Sequence, residues 1–353
     1  MCGINGFVQL KKLFSKSEMG GLVHKMNEKI IHRGPDSEGL YIDEFCAIGM
    51  RRLSIIDLQG GAQPIWNEDH SKAVVFNGEL YNFRTLRKEL VSNGHVFETS
   101  SDTEVVIHGY EEYGMEFLKK MEGMFAFAIY DKKSKKITIA RDRIGEKPLY
   151  YYKTDDYFLF GSELKSLLST GLIEMNINRE ALSYYFQLTY IPAPMSIIED
   201  VHKLPAASYM EIQANGDLSI CPYWELKYDS SNLITDYDVA KKQLRELMFQ
   251  SVEQRMVSDV PLGAFLSGGI DSTTIVGVMS QISAKPIETF TIGFKEKQYD
   301  ESELAKIVAN RFNTKRHVLT LDWNEAVKDI DYIVKNIDEP FADPSLIATY
   351  MVS

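Results

Sequence analysis

The sequence predicts two architectures in series, an α+β layered sandwich followed by an incomplete α/β doubly wound parallel sheet. Two observations lead to this prediction. Over about the first 220 residues, short β-rich runs alternate with turn signals, whereas from Ile234 onward helical periods alternate with brief apolar strands. The chain stops at Ser353 inside what resembles the start of another helix, so we expect the second domain to be cut short.

The first part contains strand and helix patterns that suit a sandwich. Strands are expected at Gly3–Val8, Lys72–Phe76, Met124–Tyr130, Lys136–Ala140, Pro148–Tyr152 and Tyr157–Phe160. Helices with apolar residues at three- and four-residue spacing are expected at Gly21–Ile31, Phe83–Val91 and Thr103–Tyr113. These helices are sufficient to cover the faces of a sheet sandwich.

The second part begins after a polar connection around residues 222–235. Asp236 is expected to cap a helix that runs to about Val257. The remaining pattern is βαβαβα, which is typical of parallel sheets. Its elements are expected at Pro261–Leu266 (strand), Ser272–Ile282 (helix), Ile287–Phe294 (strand), Glu301–Phe312 (helix), Arg316–Leu321 (strand) and Trp323–Ile337 (helix).

Composition excludes several classes of protein. The 353 residues are 44% hydrophobic and 25% charged, which is typical of a globular chain and argues against disorder. The formal net charge of −11 argues against nucleic acid or an anionic membrane surface as a partner. The three cysteines have no CxxC spacing and no signal peptide is recognisable, so we expect a cytoplasmic protein without disulfides.

Cys2 follows the initiator methionine and is the first candidate catalytic residue. A small second residue favours removal of the methionine, which would leave a thiol and an α-amino group on one residue. The amine titrates near pH 8 and can serve as a local base for the thiol. The alternative is an incidental cysteine beside a start codon, so the neighbouring motifs must decide.

Four further segments resemble, in order and spacing, the glutaminase domain of class II glutamine amidotransferases. They are Ile31–Asp36, Arg51–Ile55, Phe76–Asn82 and Ser101–Glu104. The resemblance implies an N-terminal-nucleophile fold in which Cys2 releases ammonia from glutamine, and we assign residues 2–220 to this domain.

The resemblance also implies a role for each matching residue. Arg52 would bind the glutamine carboxylate through two charge-assisted hydrogen bonds, and Asp102 and the carbonyl or side chain of Glu79 would accept the ammonium group. The side-chain amide of Asn77 and the backbone N–H of Gly78 would form the oxyanion hole. These residue types suit a ligand that carries a carboxylate, an ammonium group and an amide.

Each of these residues has a structural alternative. Asn77-Gly78 is also a common signal for a tight hairpin turn. Arg52 could be a surface arginine, and Asp102 could cap a helix that begins at Thr103. The joint pattern behind Cys2 favours the functional interpretation. His32 is expected to be a structural hydrogen-bonding residue, since the proposed mechanism already has a base.

A second motif, Leu266-Ser-Gly-Gly-Ile-Asp-Ser, lies where a strand ends and a helix begins. Gly268 and Gly269 let the backbone approach an anion, and the hydroxyl groups of Ser267 and Ser272 add donors at the positive end of the helix dipole. A generic glycine turn is the alternative. Neither the P-loop pattern nor GxGxxG is present.

The SGGxDS pattern resembles the pyrophosphate-binding loop of ATP pyrophosphatases. The resemblance implies that the backbone groups of Leu266 and Ile292 contact the adenine of ATP. It also implies that Asp271 acts through Mg²⁺, because a carboxylate cannot itself attract phosphate. Capping of the helix is the alternative for Asp271.

A glutaminase domain followed by an SGGxDS domain, here residues 236–353, is the arrangement of glutamine-hydrolysing asparagine synthetases. The resemblance implies glutamine, aspartate and ATP as substrates, with Mg²⁺, and asparagine, glutamate, AMP and diphosphate as products; it leaves a homodimer open. An SGEGxDE motif expected in this family is not found, so synthesis by this chain alone is in doubt. Met50 stands where relatives often carry histidine.

Two other functions compete with asparagine synthesis. One is a related amidotransferase that uses another carboxylate as acceptor, such as a sugar acid. The other is a chain that retains only glutaminase activity or a binding or regulatory role. Phosphoribosyl-transferring and sugar-isomerising amidotransferases are disfavoured because they share the first domain but not SGGIDS.

Overall fold

The computed structural model describes residues 2–298 and 300–353, which form two compact units. The first unit contains the residues up to Leu226 together with Asp338–Phe341. The second contains Lys227–Ile337 and Ala342–Ser353.

The first unit is built mainly from antiparallel strands. Its strands are β1 (Gly3–Gln9), β2 (Ser37–Ile42), β3 (Cys46–Arg52), β4 (Ile65–Trp66), β5 (Lys72–Leu80), β6 (Gly123–Asp131), β7 (Lys136–Arg141), β8 (Tyr150–Lys153), β9 (Tyr157–Gly161), β10 (Val201–Lys203), β11 (Ser208–Ile212) and β12 (Leu218–Pro222). Its helices are α1 (Lys16–Lys29), α2 (Phe83–Ser92), α3 (Asp102–Tyr113), α4 (Phe117–Lys120), α5 (Leu164–Leu168) and α6 (Arg179–Leu188), with short 3-10 turns at Ile31–Arg33 and Gly114–Glu116.

These strands form two sheets, each six-stranded within the described residues. The strand orders are β10-β8-β9-β1-β3-β2 and β12-β11-β7-β6-β5-β4. The two sheets share a core that includes Ile4, Ile48, Val75, Ala128 and Phe160, all at most 1% exposed. Helix α1 packs on the first sheet and α3 on β5 of the second. The predicted α+β layered sandwich is therefore confirmed.

Helix α1 begins at Lys16, five residues before the predicted start at Gly21. A capping box defines this start: the Ser15 hydroxyl accepts the Glu18 N–H at 3.3 Å, and the Glu18 carboxylate accepts the Ser15 N–H at 2.8 Å. The helix then buries Met19, Val23 and other apolar residues against the sheet.

Strand β5 continues past its predicted end at Phe76 to Leu80. Asn77 and Gly78 consequently pair with Ala126 and Phe125 of β6, and the hairpin-turn alternative is wrong. A Cβ atom on Gly78 would lie 2.2 Å from the carbonyl oxygen of Met124. Only glycine permits this close approach of two backbones.

The second unit contains α7 (Tyr237–Arg255), β13 (Gly263–Phe265), α8 (Ile270–Ile282), β14 (Glu288–Phe294), α9 (Ser302–Arg311), β15 (Lys315–Leu321), α10 (Trp323–Asn336) and α11 (Ser345–Val352), preceded by a 3-10 turn at Ser230–Asn232. The Asp236 side chain accepts the Val239 N–H at 2.9 Å and caps α7. Strands β13, β14 and β15 pair in parallel, in sequence order. The predicted short parallel sheet is confirmed.

Among the helices in the described ranges, none combines the length and the hydrophobicity needed to cross a membrane.

Candidate active site

The first unit contains a cavity of about 490 Å³, open solvent at its mouth included. All six residues predicted for glutamine hydrolysis line it, namely Cys2, Arg52, Asn77, Gly78, Glu79 and Asp102. Residues that are up to 100 positions apart in the sequence are thus brought to one cavity by β1, β3, β5 and α3.

Cys2 directly precedes β1, which lies between β9 and β3 inside its sheet. Its Sγ accepts the Leu53 N–H at 3.4 Å, and its backbone carbonyl accepts Nε–H of Arg33 at 3.0 Å. Burial raises the pKa of the Cys2 thiol, while the Leu53 hydrogen bond opposes this shift. The thiol therefore needs a base. Met1 lies outside the described residues, so the free α-amino group remains a prediction.

Asn77 presents an unbonded amide to this cavity. Its side chain is 0% exposed, and neither Oδ1 nor Nδ2 has a hydrogen-bond partner within the described residues. Buried polar groups nearly always have such partners, because leaving one unpaired costs about 1–3 kcal/mol. This amide therefore suits a ligand that supplies the missing hydrogen bonds.

Arg52 is buried, with 6% exposure, so the surface-arginine alternative is wrong. Its Nη2 donates to the carbonyl oxygens of Ile56 and Asp57 at 3.1 and 2.6 Å, and its Nη1 donates to that of Leu58 at 3.4 Å. These bonds hold the chain after β3 against the cavity and fix a cation in its wall.

Asp102 is the first residue of α3, and its Oδ2 accepts the Leu80 N–H at 2.9 Å. The cap of this helix is Ser101, whose hydroxyl accepts the Thr103 N–H at 3.2 Å, so the capping alternative for Asp102 is wrong. Burial raises the pKa of Asp102 to about 6, the Leu80 hydrogen bond opposes this, and the charge of Glu79 adds to it. Two acidic side chains thus favour a cationic group in the cavity.

Sequence reasoning missed Lys147, which also lines the cavity and is 3% exposed. Its Nζ donates to Met124 Sδ at 3.0 Å. Burial lowers the pKa of Lys147, whereas the charge of Glu79 raises it. No motif in the sequence singles out this lysine. His32 does not line the cavity. Its Nε2 lies 2.9 Å from Oε1 of Glu163.

The second unit contains a cavity of about 700 Å³, open solvent included, at the carboxyl ends of β13 and β14. Three predicted ATP-site residues, Leu266, Ser267 and Ile292, line it. Phe290 and Thr349 are among the other lining residues. This edge is where ligands bind in open α/β sheets.

The other predicted ATP-site residues lie on the loop and first turn that follow β13. Gly268 has φ +86°, and a Cβ atom there would lie 2.7 Å from the Ala305 nitrogen, so glycine is required. Helix α8 begins at Ile270 with Gly269 as its cap. The capping alternative for Asp271 is therefore wrong, and its exposed side chain lies in the first helical turn.

Ser272 joins this loop to the helix but does not line the same cavity as Ser267. Its Oγ lies 3.1 Å from Ser267 Oγ and donates to the Gly269 carbonyl at 3.2 Å. The side chain borders a separate cavity with Met248 and Met279. The structure thus gathers three of the seven predicted ATP-site residues around the cavity at the strand ends.

Comparison with known proteins identifies the class of the first unit. A family described as "Glutamine amidotransferase domain" matches residues 1–224, and the family "Asparagine synthase" matches residues 243–353. The cavity that contains Cys2 thus lies in a glutamine amidotransferase domain.

Relatives over the whole chain identify the family. The chain is 37% identical over 353 residues to asparagine synthetase [glutamine-hydrolyzing] 1 of Bacillus subtilis, covering 100% of this chain and 55% of that protein. It is 39% identical over 381 residues to putative asparagine synthetase [glutamine-hydrolyzing] 2 of Methanocaldococcus jannaschii, covering 100% and 71%. The chain belongs to the glutamine-hydrolysing asparagine synthetase family.

Among solved structures, a glutamine phosphoribosylpyrophosphate amidotransferase from B. subtilis matches with a TM-score of 0.47 and 16% identity, covering 90% of this chain and 65% of that one.

Proposed function

We propose that the first unit hydrolyses glutamine to glutamate and ammonia, with Cys2 as nucleophile and with Asn77 and Gly78 as the oxyanion hole. The observation that carries this proposal is the unbonded, fully buried amide of Asn77 in the same cavity as the Cys2 thiol. A hydrogen-bond donor left without a partner in the resting protein is suited to a charge that forms only during the reaction.

The proposed reaction proceeds through a thioester. The α-amino group of Cys2 takes the thiol proton, and Sγ attacks the side-chain amide carbon of glutamine. The resulting oxyanion accepts hydrogen bonds from Asn77 Nδ2 and the Gly78 N–H. The carbon–nitrogen bond then breaks, and the leaving nitrogen takes the proton back to depart as ammonia. Water, deprotonated by the same amine, hydrolyses the thioester and releases glutamate.

Glutamine recognition follows from the charges in the cavity wall. Asp102 and Glu79 would bind the substrate ammonium group, and Arg52 would bind its carboxylate. The raised pKa of Asp102 supports this role, because a cationic ligand would stabilise the carboxylate that burial destabilises.

For the second unit we propose binding of ATP with Mg²⁺ at the carboxyl ends of β13 and β14. Leu266 and Ile292 would contact the adenine, and Ser267, Gly268, Gly269 and Ser272 the phosphates. The exposed carboxylate of Asp271 supplies the hard oxygen donor that Mg²⁺ prefers, with water and phosphate oxygens as further ligands. When bound, Mg²⁺ neutralises phosphate charge during the transfer.

The overall activity proposed is glutamine-dependent asparagine synthesis. ATP would adenylate the aspartate side-chain carboxylate with loss of diphosphate, and ammonia would displace AMP to give asparagine. Adenylation is needed because a carboxylate is a poor electrophile and AMP is a good leaving group. Three free cysteines further support a reducing cytoplasm as the site of action.

The test is to measure glutamate, AMP and diphosphate with and without aspartate. We expect Cys2→Ala to abolish glutamate release, with Cys221→Ala, a partly buried free cysteine, as the matched control. We expect Asp271→Ala to spare glutamate release and to lower diphosphate release. Asp238→Ala is its control, because Asp238 also lies in the first turn of a helix of the second unit.

Two results would contradict the proposal. Glutamate release that survives in Cys2→Ala rules out this nucleophile. Diphosphate release that is independent of aspartate, or that produces no asparagine from ammonia, rules out aspartate as the acceptor and favours another carboxylate.

A further inference from the structure

A cluster of two histidines and two glutamates lies in the first unit, outside the glutamine cavity. Its members are Glu68 in the loop between β4 and β5, His95 after α2, and His108 and Glu111 on α3. One ligand atom from each residue lies within 4.8 Å of those of the other three. None of these residues lines the cavity that contains Cys2.

His108 is 1% exposed, and its Nδ1 has no hydrogen-bond partner within the described residues. This atom lies 3.3 Å from Glu68 Oε2 and 3.8 Å from Glu111 Oε2. Glu111 Oε2 is likewise buried without a hydrogen bond. The His108 ring nitrogen and the carboxylate oxygens of Glu68 and Glu111 therefore converge on one point at ion-pair distances, without a well-formed hydrogen bond at Nδ1, and a bound cation would satisfy all three.

Each potential ligand is oriented by a second contact on its far side. His108 Nε2 lies 3.5 Å from a carboxylate oxygen of Glu104, and His95 Nε2 lies 3.4 Å from one of Glu112, so both rings direct Nδ1 toward the cluster. A carboxylate behind a histidine is the usual outer shell of a metal ligand.

The two glutamates are supported in the same way. Glu111 Oε1 accepts hydrogen bonds from Asn67 Nδ2 at 2.7 Å and from Lys72 Nζ at 3.1 Å, which leaves Oε2 for the cluster. Glu68 Oε1 accepts the Val96 N–H at 3.2 Å and is also the atom that lies 3.0 Å from His95 Nδ1, so Glu68 is held both from outside and from within the cluster.

We propose that Glu68, His95, His108 and Glu111 bind one Zn²⁺ ion in a structural site. Two imidazoles and two carboxylates are a donor set that favours Zn²⁺ over Mg²⁺ or Ca²⁺, which prefer oxygen ligands alone. Zinc–ligand distances of about 2.0–2.2 Å require ligand atoms about 3.4 Å apart, so the cluster contracts on binding. The Glu68 side chain, 37% exposed, provides both this movement and an entry path for the ion.

Zinc at this position would join three segments that are separate in the sequence. It would tie the loop before β5 and the segment after α2 to the middle of α3. The first residue of α3 is Asp102, which lines the glutamine cavity, so loading of the site would fix the helix that carries this residue. We expect zinc to raise the thermal stability of the first unit.

The test uses Cys2→Ala as the background, because a free thiol binds zinc by itself. Metal-free protein is titrated with ZnCl2, with metal content read by mass spectrometry and thermal unfolding followed with and without a chelator. We expect one tightly bound zinc per chain, a higher melting temperature that the chelator reverses, and no such response to MgCl2 or CaCl2. Cobalt as a substitute should give the intense visible absorption of tetrahedral coordination.

The variants separate this site from other zinc-binding groups. His95→Gln and Glu68→Gln, both near the surface of the cluster, should each weaken zinc binding about 100-fold or more while the protein remains folded. His24→Gln is the matched control, because His24 also contacts two glutamates, Glu28 and Glu38, at 3.6 and 3.0 Å, but belongs to no such four-residue cluster.

Two results would overturn the proposal. Zinc that is absent and without effect on the melting temperature at micromolar concentration would identify the cluster as an ion-pair network around a protonated His108. Zinc that binds equally well to His95→Gln and Glu68→Gln would lie elsewhere in the chain.

Discussion

Replacement of Asn77 by leucine should stabilise the protein and at the same time remove most of its glutaminase activity. The amide is fully buried and has no hydrogen-bond partner within the described residues, so the folded state carries the cost of an unsatisfied polar group. Leucine has the same number and branching of side-chain heavy atoms as asparagine but no polar group, and so removes this cost of about 1–3 kcal/mol. Loss of an oxyanion-hole donor should lower kcat by about 100- to 1,000-fold.

The assays for this variant are glutamate release at saturating glutamine and thermal unfolding. For a unit of this size, about 1–3 kcal/mol corresponds to a rise in Tm of about 2–12 °C, at about 2–4 °C per kcal/mol. The matched control is Asn5→Leu, since Asn5 is also 0% exposed but donates to Asn27 at 3.0 Å and accepts from Ser166 at 2.8 Å. The control should lower Tm because it removes two buried hydrogen bonds and leaves Asn27 Oδ1 without the donor that Asn5 supplies.

The result that would refute this reasoning is a Tm for Asn77→Leu that falls as far as that of Asn5→Leu, or a kcat reduced less than tenfold. The fall in Tm would mean that the Asn77 amide has a structural partner in the resting protein, and the small change in kcat would mean that the oxyanion hole lies elsewhere.

Two further predictions concern the same cavity. Burial raises the pKa of Asp102 to about 6, so protonation below that pH would remove the charge proposed to bind the substrate ammonium, and this should add a slope of about tenfold per pH unit to the fall in kcat/KM for glutamine that protonation of the Cys2 amine already causes. A pH profile of Asp102→Asn that keeps this slope would contradict the assignment. Gly78→Ala should lower kcat at least tenfold and destabilise the protein by about 1–3 kcal/mol, because the new Cβ would lie 2.2 Å from the Met124 carbonyl oxygen. Gly21→Ala, where a Cβ meets nothing within 4 Å, should instead be neutral or stabilising, and equal unfolding curves for the two variants would refute the steric explanation.

Hydrophobic period and turn residues predicted the fold class and the elements of the second unit to within a few residues. These local patterns gave a wrong expectation where pairing between distant strands determined the backbone conformation. Asn77-Gly78 has the local preference of a hairpin turn, yet pairing of β5 with β6 keeps both residues extended. The start of α1 was also predicted wrongly, because the prediction followed the apolar residues from Gly21 onward. The capping box of Ser15 and Glu18 indicates the earlier start.

Motif order predicted which residues line the cavity that contains Cys2, because a motif specifies residue types that one ligand requires. It could not identify Lys147, since a single lysine in a turn has no spacing pattern. The Glu68, His95, His108 and Glu111 cluster was missed for a related reason. Two of its members are a helical turn apart, but the other two reach them only through the folding of separate loops.

The bond from Arg33 to the carbonyl oxygen of Cys2 has a consequence for the disorder of the chain end. Terminal residues of a polypeptide ordinarily fray, and a nucleophile there would spend much of its time away from its target. Here the Arg33 guanidinium binds the Cys2 carbonyl oxygen, and the next residue begins a strand inside a sheet. Both contacts restrict the motion of Cys2 once the protein has folded. If Cys2 is the nucleophile proposed above, the entropy of ordering its sulfur is lost once, when the protein folds, and need not be lost again at each turnover.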